Sequence, residues 1–316
     1  MRVNEMKAAQ INEYGDASVI QINEVSEPTI SEGHVLVAVH AASLNPFDST
    51  VRSGYMKEMV PLQLPVTIGG DIAGIVTAIG NDITHVAVGD KVYGQANVVA
   101  GDSGAFAEFA ATASAHVAKM PASLDFNQAA SLPLIGVSAL QALTQHITLQ
   151  AGQKIFIHGG AGNIGMIAIQ VAKYIGAYIA TTATGDDIEA ATSLGADEVI
   201  DYKTQDFAKI LEKYDAVFDT VGGDDFTRSL NILKPEGIAV SMAGRADETI
   251  AKGLNVQAIS QMTQITTEML TELSRLVEAG VITPQIGKVL PFSQIKEAFE
   301  ARESGTIHGK VVVEVS

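Results

Sequence analysis

No cysteine occurs among the 316 residues, which removes disulfides, thiolate metal sites and cysteine nucleophiles from consideration. The same absence suits a reducing compartment, and the cytoplasm is the expected location. Long apolar runs are missing too. No stretch of ~18 uninterrupted apolar residues occurs, and the opening "MRVNEMKAAQ" has no apolar core of the kind a signal segment needs. No membrane partner is therefore expected. Positive charge is scarce, with 20 Lys and Arg against 36 Asp and Glu and a formal net charge of −16. Such a surface opposes phosphate-backbone binding, which draws on clustered Lys and Arg, so nucleic acid is not expected as a partner.

What is present is apolar bulk. At 47% hydrophobic content the chain can bury a large core, and its length suits about two domains. From about Met6 to Lys119, short period-two runs such as "HVLVAVHAA", "IAGIVTAIG", "GDKVYG" and "GAFAEFAATA" are separated by turn residues. That pattern predicts a mostly antiparallel, barrel-like β domain. Beyond Pro121, helical stretches alternate with brief strands, as βαβ units do. Strands are expected near Ile155–His158, Tyr178–Thr182, Glu198–Ile200, Ala216–Asp219, Ile238–Ser241 and Val256–Ile259, enough for a doubly wound parallel sheet. After the helix "TEMLTELSRLVEAG", the ending "GKVVVEV" returns to strand character, so the tail should rejoin the first domain. The expected division is 1–127 with 281–316 for the β domain, and 128–280 for a Rossmann-type domain.

The segment "KIFIHGGAGNIG" (Lys154–Gly165) runs an apolar strand into glycines. Gly160, Gly162 and Gly165 fit G-x-G-x-x-G, a weak motif alone. Here it follows a strand and opens an amphipathic helix with Ile164, Ile167, Ala168, Val171 and Ile175 on one face. In that context the first glycine makes the turn, the second admits a pyrophosphate to the main chain, and the third lets helix and strand pack closely. The helix start, at Asn163 and Ile164, faces the anion with free N–H groups. The competing reading is a turn in an α/β protein that binds nothing. His158, just before the loop, reads as a strand-end residue rather than a catalyst.

An acidic residue about twenty positions on, at the end of the second strand, would hold the ribose 2′-OH of NAD. Thr184 stands there, with Thr182 beside it on the same strand. A neutral hydroxyl leaves room for a 2′-phosphate, which favours NADPH and leaves NADH open. Asp186 reads as the first residue of a capping box with Glu189, or alternatively as a ribose contact.

Seven segments carry a resemblance over nearly the full length: "SLNPFDSTVRSG" (43–54), "GGDIAGIV" (69–76), "GDKVYG" (89–94), "GGAGNIG" (159–165), "LGADEVIDY" (194–202), "VFDTVGG" (217–223) and "GKVVVEV" (309–315). Through them the chain resembles the medium-chain dehydrogenase/reductases, and among these the zinc-free quinone oxidoreductases related to zeta-crystallin. The resemblance implies a GroES-like β domain beside the Rossmann domain, a cleft between them, and a homodimer through the edge strand of the nucleotide domain. Zinc-dependent relatives use a Cys where this chain has Asn45, and a His in a G-H-E motif where it has Gly69-Gly70-Asp71. With no thiolate available, a tetrahedral catalytic zinc site is not expected.

By the same resemblance the nicotinamide lies beside Asn45 and Asp48. Asn45 donates to a substrate oxygen or to the cofactor ribose, against the reading that Asn-Pro-x-Asp only makes a turn. The tyrosines of the family's "TYIRSGxY" segment match Thr50 and Met56, while Tyr55 is displaced by one and is either a pocket residue or a loop residue. Further cofactor contacts are implied for Ser138, Tyr202, Val221, Gly222, Met242 and Ala243, and for Lys310 on the phosphate side. The expected activity is zinc-independent hydride transfer from NADPH to a quinone. Reduction of an alkenal, enone or enoyl double bond is the alternative, and a nucleotide sensor without turnover is the reading from another class.

Overall fold

The computed structural model describes residues 4–316. The chain forms two compact units. One takes the residues up to Leu134 with Ile265–Glu278 and Pro284–Ser316; the other takes Ile135–Gln264 with Ala279–Thr283.

In the first unit the period-two runs become β1 (Glu5–Ile11), β2 (Ile20–Ser26), β3 (His34–Ser43), β4 (Val66–Thr67), β5 (Asp71–Ile79), β6 (Lys91–Gln95), β7 (Phe109–Ala113) and β8 (Val117–Lys119). The second unit holds β9 (Lys154–His158), β10 (Tyr178–Ala183), β11 (Glu198–Asp201), β12 (Tyr214–Asp219), β13 (Leu233–Ser241) and β14 (Gln257–Ser260). The chain then returns to the first unit with β15 (Ile286–Pro291) and β16 (Lys310–Glu314).

All six strands of the second unit pair in parallel, in the order β11-β10-β9-β12-β13-β14. That is the doubly wound order, with β9 central and its Ile155, Phe156 and Ile157 fully buried. A strand covered on both faces has no polar side to show, so it reads in sequence as one apolar run. The helix Asn163–Ile175 buries Ile167, Ala168 and Val171, as its spacing requires.

The first unit is not a closed barrel. Its described strands fall into a sheet of three, β2-β1-β4, and a sheet of seven, β15-β16-β3-β5-β6-β8 with β7 on β3. Closure fails because β15 and β8 are both free edges, and β15 joins β16 in parallel through the helix Ile295–Glu303 rather than by a hairpin. The tail does rejoin this unit: β16 runs antiparallel to β3, pairing Val312 with Ser43 and Glu314 with Ala41. Val35, Val37 and Val39 of β3 pack in one core with Phe106, Phe292 and Phe299.

The helix Thr267–Glu278 belongs to the first unit, whereas the sequence pattern put the boundary after it. Its attachment is polar as well as apolar. The Tyr93 hydroxyl donates to Leu270 O at 2.6 Å, Thr267 Oγ1 donates to Val117 O at 2.9 Å, and Ser274 Oγ donates to Lys119 O at 3.1 Å. No helix of the described residues is long and apolar enough to cross a membrane. Removing one of those ties should be measurable: Tyr93→Phe leaves a buried carbonyl one donor short and should lower stability by about 1–2 kcal/mol. Urea unfolding should show this as a lower midpoint at an unchanged slope.

Candidate active site and cofactor cradle

In the second unit the carboxyl ends of β9, β10, β12 and β13 gather around the glycine loop. A Cβ on Gly160 would meet Thr181 Oγ1 at 2.0 Å, and one on Gly165 would meet Gly159 O at 2.2 Å. Both glycines are therefore demanded by close packing of strand, loop and helix. Gly162 differs, since a Cβ there would meet only Gly159 O at 3.3 Å. Its bareness serves no contact inside the chain and leaves the main chain open to a ligand. Gly162 is also the N-cap of the helix Asn163–Ile175, and no side chain caps that helix. The residues present thus fit a diphosphate: an open helix start with positive dipole and an unobstructed approach.

One buried carboxylate ties these strand ends together. Asp219 Oδ1 takes His158 Nδ1 at 3.0 Å and Val221 N at 3.2 Å, Gly222 N reaches both oxygens at 3.1 Å, and Ser241 Oγ donates to Oδ2 at 2.6 Å. Burial pushes this carboxyl upward, but the donors outweigh it and hold Asp219 below the usual carboxylate range. Val221 and Gly222, expected to touch the cofactor, are therefore positioned by Asp219. Ala243 N is set by Ser241 Oγ at 3.0 Å, and Met242 N by Asp219 O at 2.9 Å.

Other expected cofactor residues fall on the same unit. Thr182 Oγ1 accepts Gly159 N at 3.0 Å, fixing the loop from behind. Ser138 is fully buried, with its Oγ 2.7 Å from Thr263 Oγ1. Tyr202 and Val221 are more than half exposed. The Thr184 hydroxyl bonds the Asp201 carboxylate and, with Lys203 N and Thr204, holds Asp201 below its ordinary range. The Asp186 capping box does not form. Asp186 already has helical backbone angles, φ −66° and ψ −20°, and makes no side-chain cap; a cap needs an extended residue at that point.

The first unit holds a second polar cluster. Asn45 precedes the helix Pro46–Arg52, and its backbone N–H donates to Asp48 Oδ2 at 2.7 Å. The Asn45 side chain turns the other way, donating through Nδ2 to Asp71 Oδ2 at 2.9 Å and accepting Lys310 Nζ on Oδ1 at 2.6 Å. Asp71 also receives Gln95 Nε2 at 2.9 Å and Leu134 N at 3.2 Å. Asn45, Asp48, Asp71 and Lys310 are each 4% exposed or less. Burial pushes Asp48 up to about 7, helped by the charge of Asp71 and opposed by the Asn45 N–H, Lys310 and Arg302. Burial likewise raises Asp71 and lowers Lys310, each against the pull of the other.

The structure thus brings Asn45 and Asp48 together and leaves Tyr55 apart, 87% exposed. Lys310, expected on the phosphate side, is buried within the first unit. Its ammonium is enclosed and committed to Leu44 O at 2.9 Å and to Asn45, because β16 lies inside the sheet with that side chain facing its core. Sequence reasoning missed Asn97, and it missed Asp219 and Gln95, whose side-chain partners His158, Ser241 and Asp71 lie 61, 22 and 24 residues away. It counted Asp71 only as part of a segment lacking a metal ligand.

Residues 31–122 match the family of the alcohol dehydrogenase GroES-like domain, and residues 194–313 match the family described as zinc-binding dehydrogenase. The chain is 34% identical to 2-methylene-furan-3-one reductase of Solanum lycopersicum, covering 98% of this chain and 79% of that protein. It is 33% identical to the chloroplastic NADPH-dependent alkenal/one oxidoreductase of Arabidopsis thaliana, over 98% and 79% of the two chains. The solved quinone oxidoreductase of Coxiella burnetii superposes with a TM-score of 0.89 at 34% identity, over 99% of this chain and all of that one. The zinc in the second family's description does not fit the residues here. Asn45 and Gly70 offer no thiolate or imidazole, and the Asp71 carboxylate is already engaged by Asn45, Gln95 and Leu134 with the Lys310 ammonium 3.9 Å away. Fold, glycine loop and full-length similarity together place the chain in the medium-chain dehydrogenase/reductase superfamily, among its quinone oxidoreductases and alkenal reductases.

Proposed function

We propose that the chain is a zinc-independent, NADPH-dependent reductase acting on a quinone or a related electron-poor carbonyl acceptor. The observation that carries this reading is Gly162, a bare position on an uncapped helix start where no internal contact requires bareness. The reduced nicotinamide, when bound, supplies the hydride. The chain supplies the grip: main-chain donors at Asn163 and Ile164 for the diphosphate, and loops fixed by Asp219 and Thr182. NADPH is favoured over NADH because Thr184, the residue just after β10, is an uncharged hydroxyl, and because the Arabidopsis relative is named for NADPH. Asp48, held by the Asn45 main-chain N–H, supplies a polar group for the acceptor. Reduction of an alkenal or enone double bond is the second reading, supported by the names of the two plant relatives. A homodimer through the open edge of β14 belongs to the same proposal.

Purified protein should oxidise NADPH when given 1,4-naphthoquinone or methyl vinyl ketone, followed by loss of nicotinamide absorbance. Binding of NADPH without turnover on either acceptor would refute the reductase reading. Gly162→Val asks Gly159 O to give by a few tenths of an ångström and should weaken NADPH binding on the order of a hundredfold, about 3 kcal/mol, with its unfolding transition retained. Cofactor fluorescence titration measures this, and unchanged affinity would remove the loop from the site. Thr184→Asp should move cofactor preference on the order of tenfold toward NADH by repelling the 2′-phosphate. Comparing kcat/KM for the two cofactors reads that shift.

A further inference from the structure

Gly70 leaves a small bare recess in the first unit. The three heavy atoms nearest to a Cβ built there are all polar: Gln95 Nε2 at 3.6 Å, Asp48 Oδ1 at 3.8 Å and Asn97 Nδ2 at 4.0 Å. All three lie at ordinary contact distance from that Cβ point, and each is a hydrogen-bonding atom.

Each of the three groups is fixed by a bond that leaves its inner atom free. Asn97 Oδ1 accepts Val99 N at 2.9 Å, which sets the amide so that Nδ2 faces the recess. Gln95 Nε2 gives one hydrogen to Asp71 Oδ1 at 2.9 Å and keeps a second. Asp48 uses Oδ2 for the Asn45 N–H at 2.7 Å, and Oδ1 has no hydrogen-bond partner among the described residues although Asp48 is only 4% exposed. Two N–H donors and one buried carboxyl oxygen therefore converge on a place with no side chain.

We propose that this recess is the acceptor's oxygen site: Asn97 Nδ2 and Gln95 Nε2 hold the carbonyl oxygen, and Asp48 Oδ1 gives it a proton. The assignment deepens the reductase reading and rests on it. With an enone, a hydride forms a new C–H bond at the β-carbon and the alkene pair shifts toward the carbonyl carbon. The C=O π pair moves onto oxygen, which takes the proton from Asp48 as the carboxyl O–H bond breaks. The enol becomes the saturated ketone in water, the nicotinamide is oxidised by two electrons, and solvent returns the proton to Asp48. Gln95 and Asn97 bear on the charge that develops on oxygen, where fixed donors have their largest effect.

The surroundings of Asp48 suit a donor. Burial and the neighbouring Asp71 raise its pKa to about 7, with Lys310 and Arg302 pulling the other way. The proton is present below that value and lost above it, so reduction should fall as pH rises through about 7. Asp48→Asn keeps an oxygen for the Asn45 N–H but has no acidic proton. On methyl vinyl ketone it should lose on the order of 10²–10⁴ in kcat and the alkaline fall in its pH profile, with NADPH affinity within about twofold. Asn97→Asp keeps the bond to Val99 N and removes the donor; it should raise KM for the enone on the order of tenfold at unchanged NADPH affinity. An active wild type whose Asp48→Asn variant keeps its rate within about threefold and its alkaline limb overturns the assignment of Asp48. If Asp48→Asn does not fold, an unchanged KM in Asn97→Asp, or a wild-type profile flat across pH 7, overturns the recess. A wild type that binds NADPH and reduces no acceptor overturns the reductase reading, and the recess assignment with it.

Discussion

A buried ammonium governs the polar interior of the first unit. Lys310 is 1% exposed, and an ion so enclosed costs several kcal/mol unless its surroundings replace water. Leu44 O, Asn45 Oδ1 and the Asp71 carboxylate do so at 2.9, 2.6 and 3.9 Å. Once Oδ1 of Asn45 faces the ammonium, its NH₂ can only face Asp71. The other oxygen of Asp71 then takes Gln95, and the Asn45 N–H is left to fix Asp48. One cation thus bears on three side chains, Asn45, Asp71 and Gln95, from segments far apart in sequence.

The second unit solves a similar problem without a buried cation of that kind. Asp219 is fully buried, and it is stabilised by donors: an imidazole, a hydroxyl and two main-chain N–H groups. Those donors come from the ends of β9 and β13 and from the loop after β12, the places that line a nucleotide in a doubly wound sheet. Holding loops by their own N–H groups keeps them rigid while their outer faces stay free.

Much of this was legible in the sequence where the signal is local. The six parallel strands appear as apolar runs because both faces are covered, and the glycine loop shows because its glycines stand at fixed spacing directly after an apolar strand. The open shape of the first unit was not legible, since alternation shows that a strand has a buried face but not which edge closes on which. The helix Thr267–Glu278 has a clear apolar face with Leu270 and Leu273 buried, yet periodicity does not name the partner of that face. Lys310 was placed on the phosphate side by resemblance alone, which says nothing of its contacts inside this chain. Its true partners are 266 and 265 residues away. Asp186 had the composition of a cap and the wrong backbone angles for one.

The place of β16 has a consequence for how the molecule is made. Synthesis emits the N-terminal segments first, at about 5–20 residues per second, and domains tend to fold as units while it proceeds. Nearly all of the parallel sheet lies between Ile135 and Gln264 and can close on itself on the ribosome. The Asn45–Asp71 cluster must wait, with its carboxylates lacking a counter-ion, until residue 310 emerges and threads its strand between β15 and β3. The unit with the parallel sheet is thereby complete before the unit that holds Asn45 and Asp71.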